Sequence, residues 1–153
     1  MAPRVKQRLG GLFMTVLGAG GAGWQWYLAL NEGYFYPKAN TSGCTHEAIG
    51  FRDALKGFQG ANTAIVGCSG DSVEAQAKFK AKYKLNFPLL ADMEFEVVEA
   101  YGARRMKSFF GKSFLGIVRA TFWIGPDGKI RKVWPKVAVK GHAADVLAAV
   151  KQG

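Results

Sequence analysis

The sequence predicts an α/β fold, a central mixed β-sheet flanked by helices. Three observations carry that expectation. From Tyr34 onward, apolar runs of strand length alternate with helix-length segments, the order of parallel β-α-β units. Further on, Gly125-Pro126-Asp127-Gly128 separates two strand-like runs, which reads as a hairpin turn and adds antiparallel strands. A last segment, Gly141 to Lys151, reads as a terminal helix with Ala144, Leu147, Ala148 and Val150 turned inward.

Tyr34-Phe35-Tyr36 reads as the end of a central strand. Pro37 to Ser42 is a loop, and Gly43 to Lys56 is a helix with Ala48, Ile49, Phe51, Ala54 and Leu55 apolar. Thr41 or Ser42 is placed to cap it. Thr63 to Cys68 is a short apolar run that fits a buried parallel strand. A second helix runs to about Tyr83, and Asp71 with Glu74 has the spacing of a capping box at its start. Phe87 to Ala91 is a short strand with Pro88 at its start or on an edge. Glu94 to Tyr101 is a short helix, and Gly102 to Gly116 shows little periodicity. Ile117 to Ile124 and Lys129 to Trp134 are the two arms of the hairpin.

The chain has 153 residues, 49% of them hydrophobic, enough for one domain with a real core. Two cysteines do not make a secreted disulfide scaffold. The formal charge is +10, but the lysines are dispersed and no nucleic-acid motif is present, so nucleic acid is not expected as a partner. No Cys-x-x-Cys occurs, which leaves a thiol-disulfide oxidoreductase without support.

Cys44 stands at the start of the first helix. A thiol there faces unpaired backbone N–H groups and the positive end of the helix dipole. Both favour the thiolate, which is the reactive form. Thr41, three residues earlier, can offer a hydroxyl to the same pocket. Pro37 fixes one backbone angle and stiffens the loop entrance. His46 faces away from Cys44 on the helix and reads as a surface residue.

The run Pro37-Lys38-Ala39-Asn40-Thr41-Ser42-Gly43-Cys44 resembles the Pro-x-x-x-Thr-x-x-Cys active-site motif of the peroxiredoxins. Tyr34 to Asp53 resembles the bacterioferritin-comigratory, PrxQ-type branch, and the likeness continues to the C-terminus. It implies a thioredoxin-like fold and a thiol-dependent peroxidase that needs no metal or organic cofactor. Cys44 would attack hydrogen peroxide or an organic hydroperoxide and become a sulfenic acid. Arg119 matches the arginine that this family carries before the final hairpin, and its apolar neighbours Val118, Ala120 and Phe122 suggest that it has a specific partner. Glu47, on the same helix face as Cys44, would orient an arginine, and His142 would serve as a cap or surface contact.

The second thiol departs from the pattern. Many members place a resolving cysteine five residues after the first, where this chain has Ile49, or in the next helix, which here has none. Cys68 lies in or just past a buried strand and reads as a core residue. The resemblance therefore implies a one-cysteine cycle, with thioredoxin, glutaredoxin or glutathione as external reductant and a monomeric, cytoplasmic protein as the default.

Residues 1–33 differ from the rest. Leu9 to Leu30 is 22 residues without a charge, preceded by Arg4, Lys6 and Arg8 and rich in glycine. Trp24, Trp26 and Tyr27 stand near its far end, as at a membrane interface. Asn31-Glu32-Gly33 occupies the place where the family carries an apolar strand. An altered N-terminus, a membrane contact through residues 9–30 and a divergent soluble segment all remain open, with residues 34–153 as the catalytic domain. An inactive scaffold with an incomplete N-terminal region is the alternative reading of function.

Overall fold

The computed structural model describes residues 16–17, 32–125 and 127–153. The expectations for the glycine-rich segment lie almost entirely outside these residues. The elements run β1 (Val16–Leu17), β2 (Glu32–Phe35), α1 (Ser42–Gly60), β3 (Ile65–Ser69), α2 (Val73–Lys82) and β4 (Leu89–Ala91). They continue with α3 (Glu96–Ala100), β5 (Arg104–Phe109), β6 (Lys112–Ile117), β7 (Ala120–Ile124), β8 (Ile130–Trp134) and α4 (His142–Gln152).

Six strands form one mixed sheet in the order β1-β4-β3-β2-β7-β8. β2 lies in the middle, parallel to β3 and antiparallel to β7. β4 continues the parallel half beyond β3, and β8 closes the other side as the hairpin partner of β7. Glu32 and Gly33, which sit poorly in an apolar strand on sequence grounds, open β2 with ladders to Ile65 and Val66 on one side and Trp123 and Phe122 on the other. This is the mixed sheet flanked by helices of a thioredoxin-like fold.

The pleat of β2 sorts its side chains between two cores. Tyr34 and Tyr36 join Ala48, Phe51 and Phe58 of α1, and Val146 and Val150 of α4. Phe35 points the other way, into a core of Cys68, Leu90, Val98, Ala120 and Phe122. Phe51 is fully buried and stacks on Tyr34 at 4.7 Å between ring centroids. Burying such a ring contributes roughly 1.5–3 kcal/mol. Gly67 sits between Tyr34 and Leu89, and a Cβ there would come within 2.8 Å of Leu89 and 2.9 Å of the Tyr34 hydroxyl.

Three details correct the sequence reading. The α2 cap is Ser72, whose hydroxyl accepts from Ala75 N at 3.1 Å, so Asp71 and Glu74 form no capping box. Asp71 is engaged elsewhere, as described below. His142 is not a surface contact, because its ring is buried and Nε2 pairs with Thr121 Oγ1 at 2.8 Å. The stretch expected to lack periodicity, 102–116, folds as the two-stranded ribbon β5–β6. Ile117 consequently ends β6 instead of opening the strand that leads to Ile124.

Candidate active site

Cys44 is the third residue of α1, at the end of β2 and the loop that follows it. The first backbone N–H groups of the helix have no partner within it. The Cys44 thiol is buried at 1% exposure. Arg119, between β6 and β7, donates from Nη2 to Cys44 Sγ at 3.2 Å. Its Nη1 donates to Glu47 Oε2, so one guanidinium bridges thiol and carboxylate. The Glu47 side chain is fully enclosed, and its Oε1 has no hydrogen-bond partner among the described residues.

Burial pushes the Glu47 carboxyl up to about 7, against the opposing pull of Arg119. Burial also acts against the Arg119 charge, yet Glu47 and Cys44 outweigh it and hold the guanidinium above its ordinary value. Gly43 makes room for this arrangement, since a Cβ there would meet Arg119 Nη2 at 3.1 Å. The Arg119 carbonyl accepts from Val137 N at 3.2 Å, which fixes its backbone against the loop before α4.

The loop that leads to Cys44 is held from below. Ala39 N donates to Asp71 Oδ2 at 2.7 Å, and Ser69 Oγ donates to the same oxygen at 2.6 Å. Gln76 Nε2 donates to Ser69 Oγ at 2.9 Å and to the Leu90 carbonyl at 3.0 Å. Tyr36 OH donates to Gln76 Oε1 at 2.5 Å, which closes a buried chain back to the residue before Pro37. Asn40 adopts a left-handed backbone with φ of 61°, and its Oδ1 accepts from Lys82 Nζ and Tyr83 OH.

The structure brings Cys44, Glu47 and Arg119 into one cluster. Pro37 opens the loop, half-buried. Thr41 occupies the N-cap position without a side-chain cap bond. Its hydroxyl donates to the Lys38 carbonyl at 2.8 Å, within the same loop. His46 is exposed. Gly43, Asp71 and Gln76 escaped sequence reasoning. Asp71 carried a readable signal, but it was the spacing of a helix cap, and it concealed the loop contact. Among the described residues, no three His, Cys, Asp or Glu side chains converge as metal ligands would.

Cys68 stands apart. It pairs in register with Phe35 of β2 and shares its face of the sheet, in the core opposite Cys44. Burial, with Asp92 adding to it, holds the Cys68 thiol well above its ordinary value.

A thioredoxin-like sheet that presents a buried helix-start thiol to a carboxylate-held guanidinium defines a thiol-dependent peroxidase. Comparison with known proteins agrees. The AhpC/TSA family pattern matches residues 33–133. "Putative peroxiredoxin bcp" of Coxiella burnetii is 50% identical over 114 residues, covering 74% of this chain and 76% of its own. "Peroxiredoxin Bcp" of Bacillus subtilis is 46% identical over 118 residues, covering 77% and 75%. The trapped intermediate/ligand complex of the Xanthomonas campestris bacterioferritin comigratory protein, described for its alkyl peroxide reduction activity, superposes with a TM-score of 0.76 at 41% identity, covering 79% of this chain and 77% of that one. The chain belongs to the AhpC/TSA peroxiredoxin family, in its PrxQ (Bcp) branch.

Proposed function

We propose that Cys44 is the peroxidatic nucleophile of a one-cysteine cycle, served by Arg119, Glu47, Thr41 and Pro37. The observation that carries this reading is the 3.2 Å contact between Arg119 Nη2 and Cys44 Sγ, with Glu47 holding the other arm of the guanidinium. The sulfur attacks the nearer peroxide oxygen as the O–O bond breaks. An S–O bond forms, the sulfur is oxidised to a sulfenic acid, and the departing hydroxide or alkoxide takes a proton to leave as water or alcohol. Negative charge grows on the departing oxygen, beside a guanidinium already aimed at the site. Fixed donors of this kind are worth about 10²–10³ in rate each. Pro37 shields the loop side of the pocket. Thr41 accepts at its hydroxyl oxygen while its proton stays committed to Lys38. Hydrogen peroxide and organic hydroperoxides are both substrates.

An external thiol then condenses with the sulfenic acid, releasing water and leaving a mixed disulfide. A second thiol reduces that disulfide and restores Cys44. Thioredoxin, glutaredoxin and glutathione each supply the required chemistry. Cys68 takes no part, which its place on the opposite face of the sheet supports. The catalytic unit is residues 34–153, acting as a monomer. Two unpaired thiols suit the reducing cytoplasm. No described helix is long and apolar enough to cross a membrane.

The test is intact mass after a stoichiometric peroxide pulse with a dimedone trap. A single adduct on Cys44, with turnover abolished in Cys44→Ser, is the expected result. Loss of two hydrogens without an adduct would identify a Cys44–Cys68 disulfide and overturn the one-cysteine cycle.

A further inference from the structure

Among the described residues, seven large hydrophobic side chains stand exposed, and five of them belong to one element, the β5–β6 hairpin. They are Met106, Phe109, Phe110, Phe114 and Leu115. Such residues scattered singly need no explanation, but gathered on one ribbon they mark an interaction surface. Phe109 and Phe110 form the tip, exposed at 66% and 90%, with their rings edge to face at 4.5 Å.

The register sorts the ribbon into two faces, because directly opposed residues share a side. Lys107 opposes Phe114 and Phe109 opposes Lys112, with Arg105 on the same face nearer the base. Met106 opposes Leu115 and Ser108 opposes Ser113 on the other. From residue 104 to 117 the hairpin carries four cations, Arg104, Arg105, Lys107 and Lys112, and no acid. Arg104 is paired with Glu99. Arg105 Nη2 donates to the Pro135 carbonyl and Lys107 Nζ to the Ile117 carbonyl, which roots both side chains while leaving them further donors.

We propose that this hairpin docks the protein on anionic lipid bilayers, with Phe109 and Phe110 entering the interface and Arg105, Lys107 and Lys112 meeting lipid phosphates. Phe110 at the tip is 90% exposed, so a rigid partner would need a hollow to receive it, whereas a fluid interface needs none. An aromatic tip flanked by cations is the chemistry that an anionic interface rewards through both apolar burial and surface potential. A second copy is the weaker occupant, because a twofold contact would set this hairpin's cations against their own copies. The whole chain, at +10, adds to attraction for an anionic surface.

The test is sedimentation of the full chain with vesicles of phosphatidylcholine and phosphatidylglycerol, against vesicles of phosphatidylcholine alone. Binding to the anionic vesicles, weakened by salt, is expected. Phe109→Ser with Phe110→Ser lowers the affinity by about tenfold or more, and Lys112→Gln by about fivefold. Turnover of hydrogen peroxide in solution stays unchanged in both variants. Should the double variant melt early, Phe110→Ser alone carries the test, since that ring is almost wholly in solvent. Absence of sedimentation overturns the proposal, and so does an affinity that the phenylalanine substitutions leave unchanged. Lipid-free self-association that the double variant abolishes would assign the surface to a second copy and overturn it as well.

Discussion

Glu47 gives one carboxylate oxygen to Arg119 and keeps the other buried, without a partner among the described residues. A buried carboxylate held by a single arginine is costly to enclose and costlier to separate from it. The pair therefore serves placement of the guanidinium against Cys44 more than stability. Removing Arg119 should expose the difference. Arg119→Met is expected to destabilise the fold by about 3–5 kcal/mol, because Glu47 is left uncompensated. The double variant with Glu47→Gln should recover most of that loss in urea denaturation. Peroxide reactivity should stay about 10²–10³ below the parent in both. Recovery of activity along with stability would show that Arg119 acts only through the fold.

Two buried groups oppose each other as pH changes. Glu47 has a folded value near 7 against an ordinary 4.5, so its contribution to stability is full below 4.5 and is lost as pH rises through 7. His142 is lowered from 6.5 to about 4, by burial above all, so its contribution is full above 6.5 and is lost as pH falls through 4. Between pH 4.5 and 6.5 the two slopes have opposite sign. Glu47→Gln should make urea midpoints fall more steeply toward acid than in the parent, and His142→Gln should tilt them the other way. Parallel curves for parent and variants would contradict both assignments.

Asp71 restrains the loop that carries Pro37 and Thr41, through the Ala39 N–H. Asp71→Ala leaves that donor and the Ser69 hydroxyl to find new partners, a loss of about 1–3 kcal/mol. Loosening a catalytic loop costs more in rate than in stability, and a misplacement of about 1 Å can lower rate about 10²-fold. Stopped-flow oxidation of Cys44 should therefore slow by more than tenfold at a temperature where the variant is still folded. Asp71→Asn retains an acceptor for Ala39 and should restore much of the rate. A slowing no greater than the change in folded fraction would make Asp71 a fold residue alone.

Gly43→Ala tests the approach of the guanidinium. Its Cβ would stand 3.1 Å from Arg119 Nη2, so the arginine must shift by a few tenths of an ångström. Thermal stability should hold or rise slightly, as helix propensity favours alanine over glycine. Peroxide reactivity should fall several-fold, read as kcat/KM with a fixed thiol reductant. Unchanged kcat/KM would mean that Arg119 tolerates displacement from Cys44.

The elements that bury one continuous face were legible. β3, α1, α4 and the β7–β8 hairpin lie within a few residues of their expected spans, because apolar spacing tracks burial. The face of α4 was misread in part, since it buries His142, Val146 and Val150 and leaves Ala144 and Ala148 exposed. The β5–β6 ribbon was not legible, for two physical reasons. Most of its side chains are exposed on both faces, so no alternation of apolar and polar residues develops. Its turn is Phe110-Gly111, with φ of 48° and 74°, where the usual signal would be Asn-Gly. At the site, Cys44 and Arg119 were found by motif and resemblance. Gly43 and Gln76 were not, since a missing side chain and a buried amide hub announce themselves only once their neighbours are in place.

The pleat that sends Tyr34 and Phe35 to opposite faces also governs the life of an oxidised protein. Cys44 and Cys68 lie in separate compartments with the sheet between them. On the one-cysteine reading proposed above, a Cys44 sulfenic acid would find no thiol of its own chain on its side of the sheet. Its persistence would be a race between arriving reductant and a second molecule of peroxide, and the second outcome would be a sulfinic acid that thiols do not reverse. The ratio of reductant to peroxide around the protein, not its internal chemistry, would then decide how many turnovers each copy survives.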